Sequence, residues 1–157
     1  MTTAIRNAVD ADVDALIALS VRTISASYRA FLDDAAVDGF IGSGAVNQYV
    51  KDNLARCVVI LCDGSIVGYA VWQDNWIDLM MIDHTAHRQG FGTQLLKHVE
   101  ASLLRSYDAL TLESFEANQQ ANSFYRKNGW LEASRYFDND SGANKIVFNK
   151  IVFNKRL

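Results

Sequence analysis

The stretch Ile82-Asp83-His84-Thr85-Ala86-His87-Arg88-Gln89-Gly90-Phe91-Gly92-Thr93 gathers residue types that bind phosphate. Gly90 and Gly92, one residue apart, remove the side chains that would block close approach of a ligand to the backbone. His87, Arg88, Gln89 and Thr93 add side-chain donors. A helix that begins here has unpaired N–H groups and about half an elementary positive charge at its start, a combination that attracts anions. A plain strand-to-helix turn, with glycines for geometry alone, accounts for the same residues, and the stretch taken alone leaves both open.

The flanking residues place this stretch at such a junction. Residues 76–82 are apolar enough to form a buried strand. After them Phe91, Leu95, Leu96, Val99 and Leu103 recur at three- and four-residue steps, the period of one helix face over 92–104. Upstream, residues 4–7 read as a short first strand, and Asp10 or Asp12 can cap a helix carrying Val13, Leu16, Ile17, Ser20, Val21, Ile24 and Tyr28 on one side. A second helical region covers about 33–41, breaks at Gly42-Ser43-Gly44 and resumes through Leu54; Tyr28, Phe31, Phe40 and Tyr49 suit a core, which is the reading for most of them, or the lining of a pocket. Residues 57–62 and 66–73 form a hairpin around Asp63-Gly64, and Asp74-Asn75 turns the chain into the strand at 76–82. Downstream lie a strand at 109–115, parallel to 76–82 because a helix crosses between them, a helix from Asn118 stopped by Gly129, and strands at 130–137 and from Lys145 on.

At 157 residues and half hydrophobic, the chain is expected to be a single domain, 1–157, with a substantial core. A net charge of −3 and a pI of about 5.5 weigh against nucleic acid as a partner. The first residues hold no apolar run of signal-peptide type and no segment reaches membrane-spanning length, so the expectation is a cytoplasmic protein without a membrane partner. Cys57 and Cys62, five apart, fall on opposite faces of one strand and are read as free thiols. At the other end, Ile146-Val147-Phe148-Asn149-Lys150 is repeated at once as Ile151-Val152-Phe153-Asn154-Lys155. An odd offset turns the copies to opposite faces, so only one copy is expected in the sheet.

A second motif, Asn118-Gln119-Gln120-Ala121-Asn122-Ser123-Phe124-Tyr125-Arg126-Lys127-Asn128-Gly129-Trp130, completes a pattern. Together with the glycine junction and the element order, it resembles the GNAT superfamily of acyl-CoA-dependent N-acetyltransferases over nearly the whole chain. The resemblance implies an α/β (α+β) fold: a mixed sheet of about six to seven strands, splayed at a cofactor cleft and flanked by about four helices. The family's phosphate loop (Gln or Arg, two residues, Gly, one residue, Gly or Ala) falls on His87-Arg88-Gln89-Gly90-Phe91-Gly92, with His at the first position as a departure. It implies acetyl-CoA as co-substrate, with its pyrophosphate on the N–H groups from Gln89 to Thr93. Its pantetheine arm would pair with Met80, Met81 and Ile82, in the gap between 76–82 and 109–115. Asn118 matches a position that contacts the arm, and Tyr125 the tyrosine near the thioester sulfur.

The implied reaction gives these residues work. Acyl transfer releases a thiolate, which a tyrosine of pKa about 10 can protonate. The acceptor is an amine whose ammonium form, of pKa about 10.4, costs about 4–5 kcal/mol to deprotonate at pH 7, so a base or water relay is needed. Asp78 is the first candidate and Glu113 the second, each also readable as a surface carboxylate. The implied activity is transfer of an acetyl group to a primary amine of a small molecule or peptide by direct attack in a ternary complex. His84, His87 and His98 lack the carboxylates and spacing of a metal site, so no metal is expected.

Two other readings use the same residues. A dinucleotide-binding enzyme is imitated by Gly90, Gly92 and a later Glu113, but Leu95 stands where the third glycine belongs. A non-catalytic acyl-CoA-binding module on the same fold would keep the loop and not need Tyr125. The acceptor's surroundings are expected at Tyr28, Asp33, Asp34 and the turn 138–141, and a homodimer through the unpaired edge of the last strand is the oligomer suggested.

Overall fold

The computed structural model describes residues 1–151. Seven strands are ordered β1-β2-β3-β4-β5-β7-β6. They are β1 (Thr3–Asn7), β2 (Cys57–Cys62), β3 (Ser65–Gln73), β4 (Trp76–Ile82), β5 (Ala109–Phe115), β6 (Leu131–Asp138) and β7 (Ala143–Ile151). Five helices accompany them: α1 (Val13–Ser27), α2 (Asp34–Gly42), α3 (Ala45–Asn53), α4 (Phe91–Leu103) and α5 (Gln119–Lys127). The count exceeds the expected four because the Gly42-Ser43-Gly44 break separates two helices, with Gly44 in the left-handed region at φ 80°. Contacts divide the chain into two compact units, Met1–Trp72 with Leu79–Val99, and Gln73–Asp78 with the residues from Glu100 on.

In the first unit β1, β2 and β3 are successive antiparallel neighbours, Ile5 opposite Ile60 and Val59 opposite Tyr69. One core gathers Leu16, Leu19 and Ile24 of α1, Val37 of α2, Val46 and Val50 of α3, and Val59, Tyr69, Val71 and Met81 of the strands. Phe40, read as core, is 47% exposed, because α2 buries only Val37. Ser20 and Tyr69 satisfy each other inside this core. The Tyr69 hydroxyl donates to Ser20 Oγ (2.6 Å), which donates on to the Leu16 carbonyl (2.7 Å). Gly68 is required by crowding: a Cβ there would stand 2.5 Å from Ile82 Cδ1 and 2.7 Å from the Met81 carbonyl oxygen.

In the second unit β5 receives β4 on one side, in parallel at Trp76↔Thr111 and Ile77↔Leu112, and β7 on the other, antiparallel. β6 then pairs with β7. This corrects the expectation that the last strand is an edge: β7 runs between β5 and β6, and the outer strand is β6, whose residues from Leu131 to Phe137 are all exposed. The first copy of the tandem repeat is the central part of β7; Ile151 ends the strand, and the rest of the second copy lies outside the described residues. Buried Leu110, Leu112, Ile146 and Phe148 line one face of this sheet, where Tyr125 and Trp130 pack. Glu100, 6% exposed, accepts from Trp130 Nε1 (3.2 Å) and Lys150 Nζ (2.6 Å), and Lys150 also donates to the Asn128 carbonyl (2.8 Å). A buried carboxylate persists only with such partners.

Candidate functional site

The glycine junction is built by a chain of short-range bonds. Asp83, at the end of β4, is buried, and Arg22 of α1 reaches it through Nε (3.0 Å) and Nη2 (2.5 Å). Its second oxygen accepts from the Thr85 N–H (3.2 Å), starting the single 3-10 turn His84–Ala86. Burial raises the Asp83 carboxyl, but the donors on Arg22 and Thr85 outweigh it and hold the group below the ordinary carboxylate value. His87 then folds back, its Nε2–H donating to the Ile82 carbonyl at 2.8 Å. Beyond it Arg88 (φ 65°) and Gly90 (φ 83°) both take left-handed backbone, a conformation that turns successive N–H groups into a concavity.

α4 starts at Phe91, whose buried ring anchors the helix end. The first helical bond runs from Gln94 N–H to the Gly90 carbonyl (3.2 Å). The N–H groups of Phe91, Gly92 and Thr93 therefore precede any intrahelical acceptor. Arg88, Gln89 and Gly90 are exposed, and Gly92 and Thr93 are half-buried. A Cβ on Gly90 would meet nothing within 4 Å, so its backbone angle, not crowding, calls for glycine, and open space lies before the loop. Positive φ, a helix start and adjacent open space suit a pyrophosphate.

β4 supplies the neighbouring backbone. The Met81 carbonyl lies against Gly68 of β3, and the Asp83 N–H donates to the Val67 carbonyl (2.8 Å). Alternation therefore turns the main-chain groups of Met80 and Ile82 away from β3. His87 already engages the Ile82 carbonyl. Met80 is thus the residue best disposed to pair with an extended ligand, while the Met81 side chain belongs to the core.

The second unit holds the expected acid and bases. Ile77 and Leu112 are paired and buried, so alternation sends Asp78 and Glu113 together to the opposite face. Asp78 is exposed and Glu113 half-buried. Glu113 accepts a hydrogen bond from the Tyr136 hydroxyl of β6 at 2.9 Å. Desolvation, that bond and the charges of Glu113, Asp138 and Asp140 push the Tyr136 hydroxyl up to about 12, so it remains a donor at neutral pH. No local pattern marks Tyr136. The signal was non-local, because β7 lies between β5 and β6.

Tyr125 lies on the other face. It is 8% exposed, with its ring 5.9 Å from Phe148, 6.3 Å from Trp130 and 5.4 Å from Phe124. Phe148 pairs with Leu112, whereas Glu113 pairs with Val147, which fixes the two faces. Asn118 is the cap of α5, its side chain accepting from the Ala121 N–H (3.3 Å). Asn122, also buried, donates to the carbonyls of Phe115 (3.2 Å) and Glu116 (3.0 Å), tying the helix to the end of β5.

The residues expected around an acceptor are committed to local structure. Asp33 caps α2 through the Ala36 N–H (2.7 Å), and Asp34 and Asp38 both bind Arg29 (3.0 and 2.6 Å). The ring of Tyr28 lies 5.1 Å from Phe31, and burial raises its hydroxyl. Asp138 accepts from the Ser141 N–H (3.2 Å) and pairs with Lys145 (3.2 Å). Among the described residues no group of three or more His, Cys, Asp or Glu could hold a metal ion, and no helix is long and apolar enough to cross a membrane.

A family model described as an acetyltransferase (GNAT) domain matches residues 23–142. Solved structures share the fold. One is a GCN5-related N-acetyltransferase from Rhodopseudomonas palustris, with TM-score 0.81, 18% identity and 97% of each chain covered. Another is the PaiA N-acetyltransferase of Thermoplasma acidophilum in complex with coenzyme A, with TM-score 0.80, 16% identity, and 97% of this chain and 100% of that one covered. A third is the ribosomal-protein-S18-alanine N-acetyltransferase of Escherichia coli, with TM-score 0.68, 18% identity and 99% of each chain covered. The comparison with curated proteins gives no match.

Proposed function

The chain belongs to the GNAT acetyltransferase family, and on that premise we propose that it transfers an acetyl group from acetyl-CoA to a primary amine, by direct attack in a ternary complex. The observation that carries this reading is the loop from His87 to Thr93, where Arg88 and Gly90 in left-handed backbone lead into the start of α4. The N–H groups from Gln89 to Thr93 hold the pyrophosphate, with Arg88 as a side-chain donor. Met80, and the Ile82 N–H beside it, pair with the pantetheine arm. Asn118 contacts that arm from the start of α5. Coenzyme A is also the ligand of the PaiA relative.

Acetyl-CoA supplies the thioester carbon that the amine attacks. Removing the proton from an ammonium of pKa about 10.4 costs about 4–5 kcal/mol at pH 7, and a positioned carboxylate lowers that cost in the transition state. Glu113 takes this role: it is half-buried and oriented by Tyr136. Asp78, exposed on the same face, attracts the cationic acceptor. Tyr125 gives its proton to the leaving thiolate. The acceptor is an alkylamine of a small molecule or a peptide.

The test is thermal unfolding with acetyl-CoA, with NADH as control, followed by an amine panel read by thiol release. Ligand at about 100 times its Kd adds roughly 2.7 kcal/mol, several degrees for a domain of this size. A shift with acetyl-CoA and not NADH, followed by amine-dependent thiol release, is expected. A shift without thiol release from any amine would make this a binding module, and no shift would remove the cofactor from the reading.

A further inference from the structure

The first unit contains a second recess that the reaction does not use. An open cleft of about 400 Å³ is lined by Arg6, Asp12, Ala15, Ala18, Arg22, Leu61, Gly64, Ser65 and Ile66. Its apolar part is the Ala15 and Ala18 side of α1 with Leu61 and Ile66 of the β2–β3 hairpin. Its polar part is two arginines that are already immobilised. Arg6 Nη1 and Nη2 grip the two oxygens of buried Asp12 at 2.8 and 3.0 Å, and the Val9 N–H also donates to that carboxylate at 2.9 Å. Arg22 grips Asp83 through Nε and Nη2. These bonds leave Arg6 Nε and Arg22 Nη1 without a partner among the described residues. The carboxylate in the lining, Asp12, already accepts three hydrogen bonds, and what the arginines still offer is donor capacity alone.

We propose that this cleft binds a small organic monocarboxylate with an aliphatic body of about four to six carbons, the carboxylate on Arg6 Nε and Arg22 Nη1 and the aliphatic body along Ala15, Ala18, Leu61 and Ile66. Held guanidinium groups lose little side-chain entropy when they bind a carboxylate, and each arginine still offers a charged N–H to one of its oxygens. The small alanine side chains leave room for the aliphatic body, whose burial removes apolar surface from water.

The site is wired to the glycine junction. Arg22 is the residue that holds Asp83, and Asp83 starts the turn that leads to His87 and Gly90. A carboxylate that draws on the Arg22 guanidinium therefore alters the hold on Asp83, so occupancy of the cleft and of the loop are coupled, reciprocally by linkage. This second step rests on the reading that the loop holds coenzyme A; binding in the cleft does not.

The experiment is a 1H–15N titration of the full chain with hexanoate, using hexylamine and hexanol as controls. Saturable shifts at Ala15, Ala18 and Ser65 with hexanoate alone, extending to Asp83–Ala86, are expected. Ala18→Trp, at an exposed helix position, fills the cleft and is expected to weaken hexanoate at least tenfold with the rest of the spectrum retained. Absence of saturable shifts, equal shifts with hexylamine, or shifts undiminished in Ala18→Trp would overturn the site. The coenzyme A affinity is then measured calorimetrically with and without saturating hexanoate. A change of about threefold or more supports the coupling, and an unchanged affinity overturns it. If coenzyme A does not bind in either case, the reading of the loop fails while the hexanoate result stands.

Discussion

Tyr136 and Glu113, 23 residues apart in sequence, are joined by a 2.9 Å hydrogen bond that spans the intervening strand β7. The bond aims one carboxylate of β5, and Asp78 of β4 lies on the same face. Glu113→Gln is expected to lower kcat about 100-fold, the usual span of a lost general base, with coenzyme A affinity unchanged. Tyr136→Phe is expected to lower kcat about tenfold, and Asp78→Asn to act mainly on the KM for the amine. Steady-state kinetics in both substrates, beside a calorimetric Kd for coenzyme A, separates the three.

Tyr125 packs by its ring, so Tyr125→Phe keeps the contacts with Phe124, Trp130 and Phe148. Turnover is expected to fall about 100-fold with coenzyme A binding intact and the melting temperature within a few degrees of the parent. Unchanged turnover would reduce Tyr125 to a packing residue.

His87 closes the loop through the Ile82 carbonyl. A hydrogen bond of this kind contributes about 1 kcal/mol net, roughly a fivefold change in an equilibrium constant. His87→Ala is expected to weaken coenzyme A by about that factor, measured by calorimetry, because the loop then pays its ordering entropy on binding.

Lys150 is the charged partner of Glu100 in the second unit. Lys150→Ala leaves a buried carboxylate with the Trp130 N–H alone, and is expected to cost about 3 kcal/mol in urea unfolding. Lys150→Ala combined with Glu100→Gln should recover much of that loss, since the uncompensated charge is gone.

Asp12 sets an acid limit. The hydrogen bond from Arg6, offset in part by burial and aided by the Val9 N–H, holds its carboxyl below the ordinary value. A group depressed in the folded state contributes stability above its unfolded pKa of about 3.9, and that contribution is lost as pH falls through the folded value. The stability gap between the parent and Asp12→Asn is therefore expected to be full at pH 6 and to close below about pH 4, read from melting temperatures across the acid range.

Much of this architecture was legible in the chain. The face of α4 follows from the three- and four-residue steps of Phe91, Leu95, Leu96, Val99 and Leu103, all buried. Asp63-Gly64 and Asp74-Asn75 do turn the chain between strands, with Asp63 and Asp74 at positive φ. What escaped was non-local. The place of β7 inside the sheet depends on strand order, which side-chain alternation does not encode. The same applies to Arg22 and Asp83, 61 residues apart, and to Tyr136 and Glu113. His87 is a donor by sequence pattern, but that its Nε2 meets the Ile82 carbonyl depends on the five-residue turn that brings it there.

Tyr125 and Glu113 stand on opposite faces of the same strands, one beside Phe148 and the other beside Val147. An acid and a base separated in this way cannot exchange a proton with each other directly. In the proposed reaction the proton surrendered by the amine passes to Glu113 and the proton taken up by sulfur comes from Tyr125, so the two are different protons. A solvent-isotope proton inventory would then register two independent contributions, each abolished by its own substitution, and the alkaline and acidic limits of turnover could be moved one at a time.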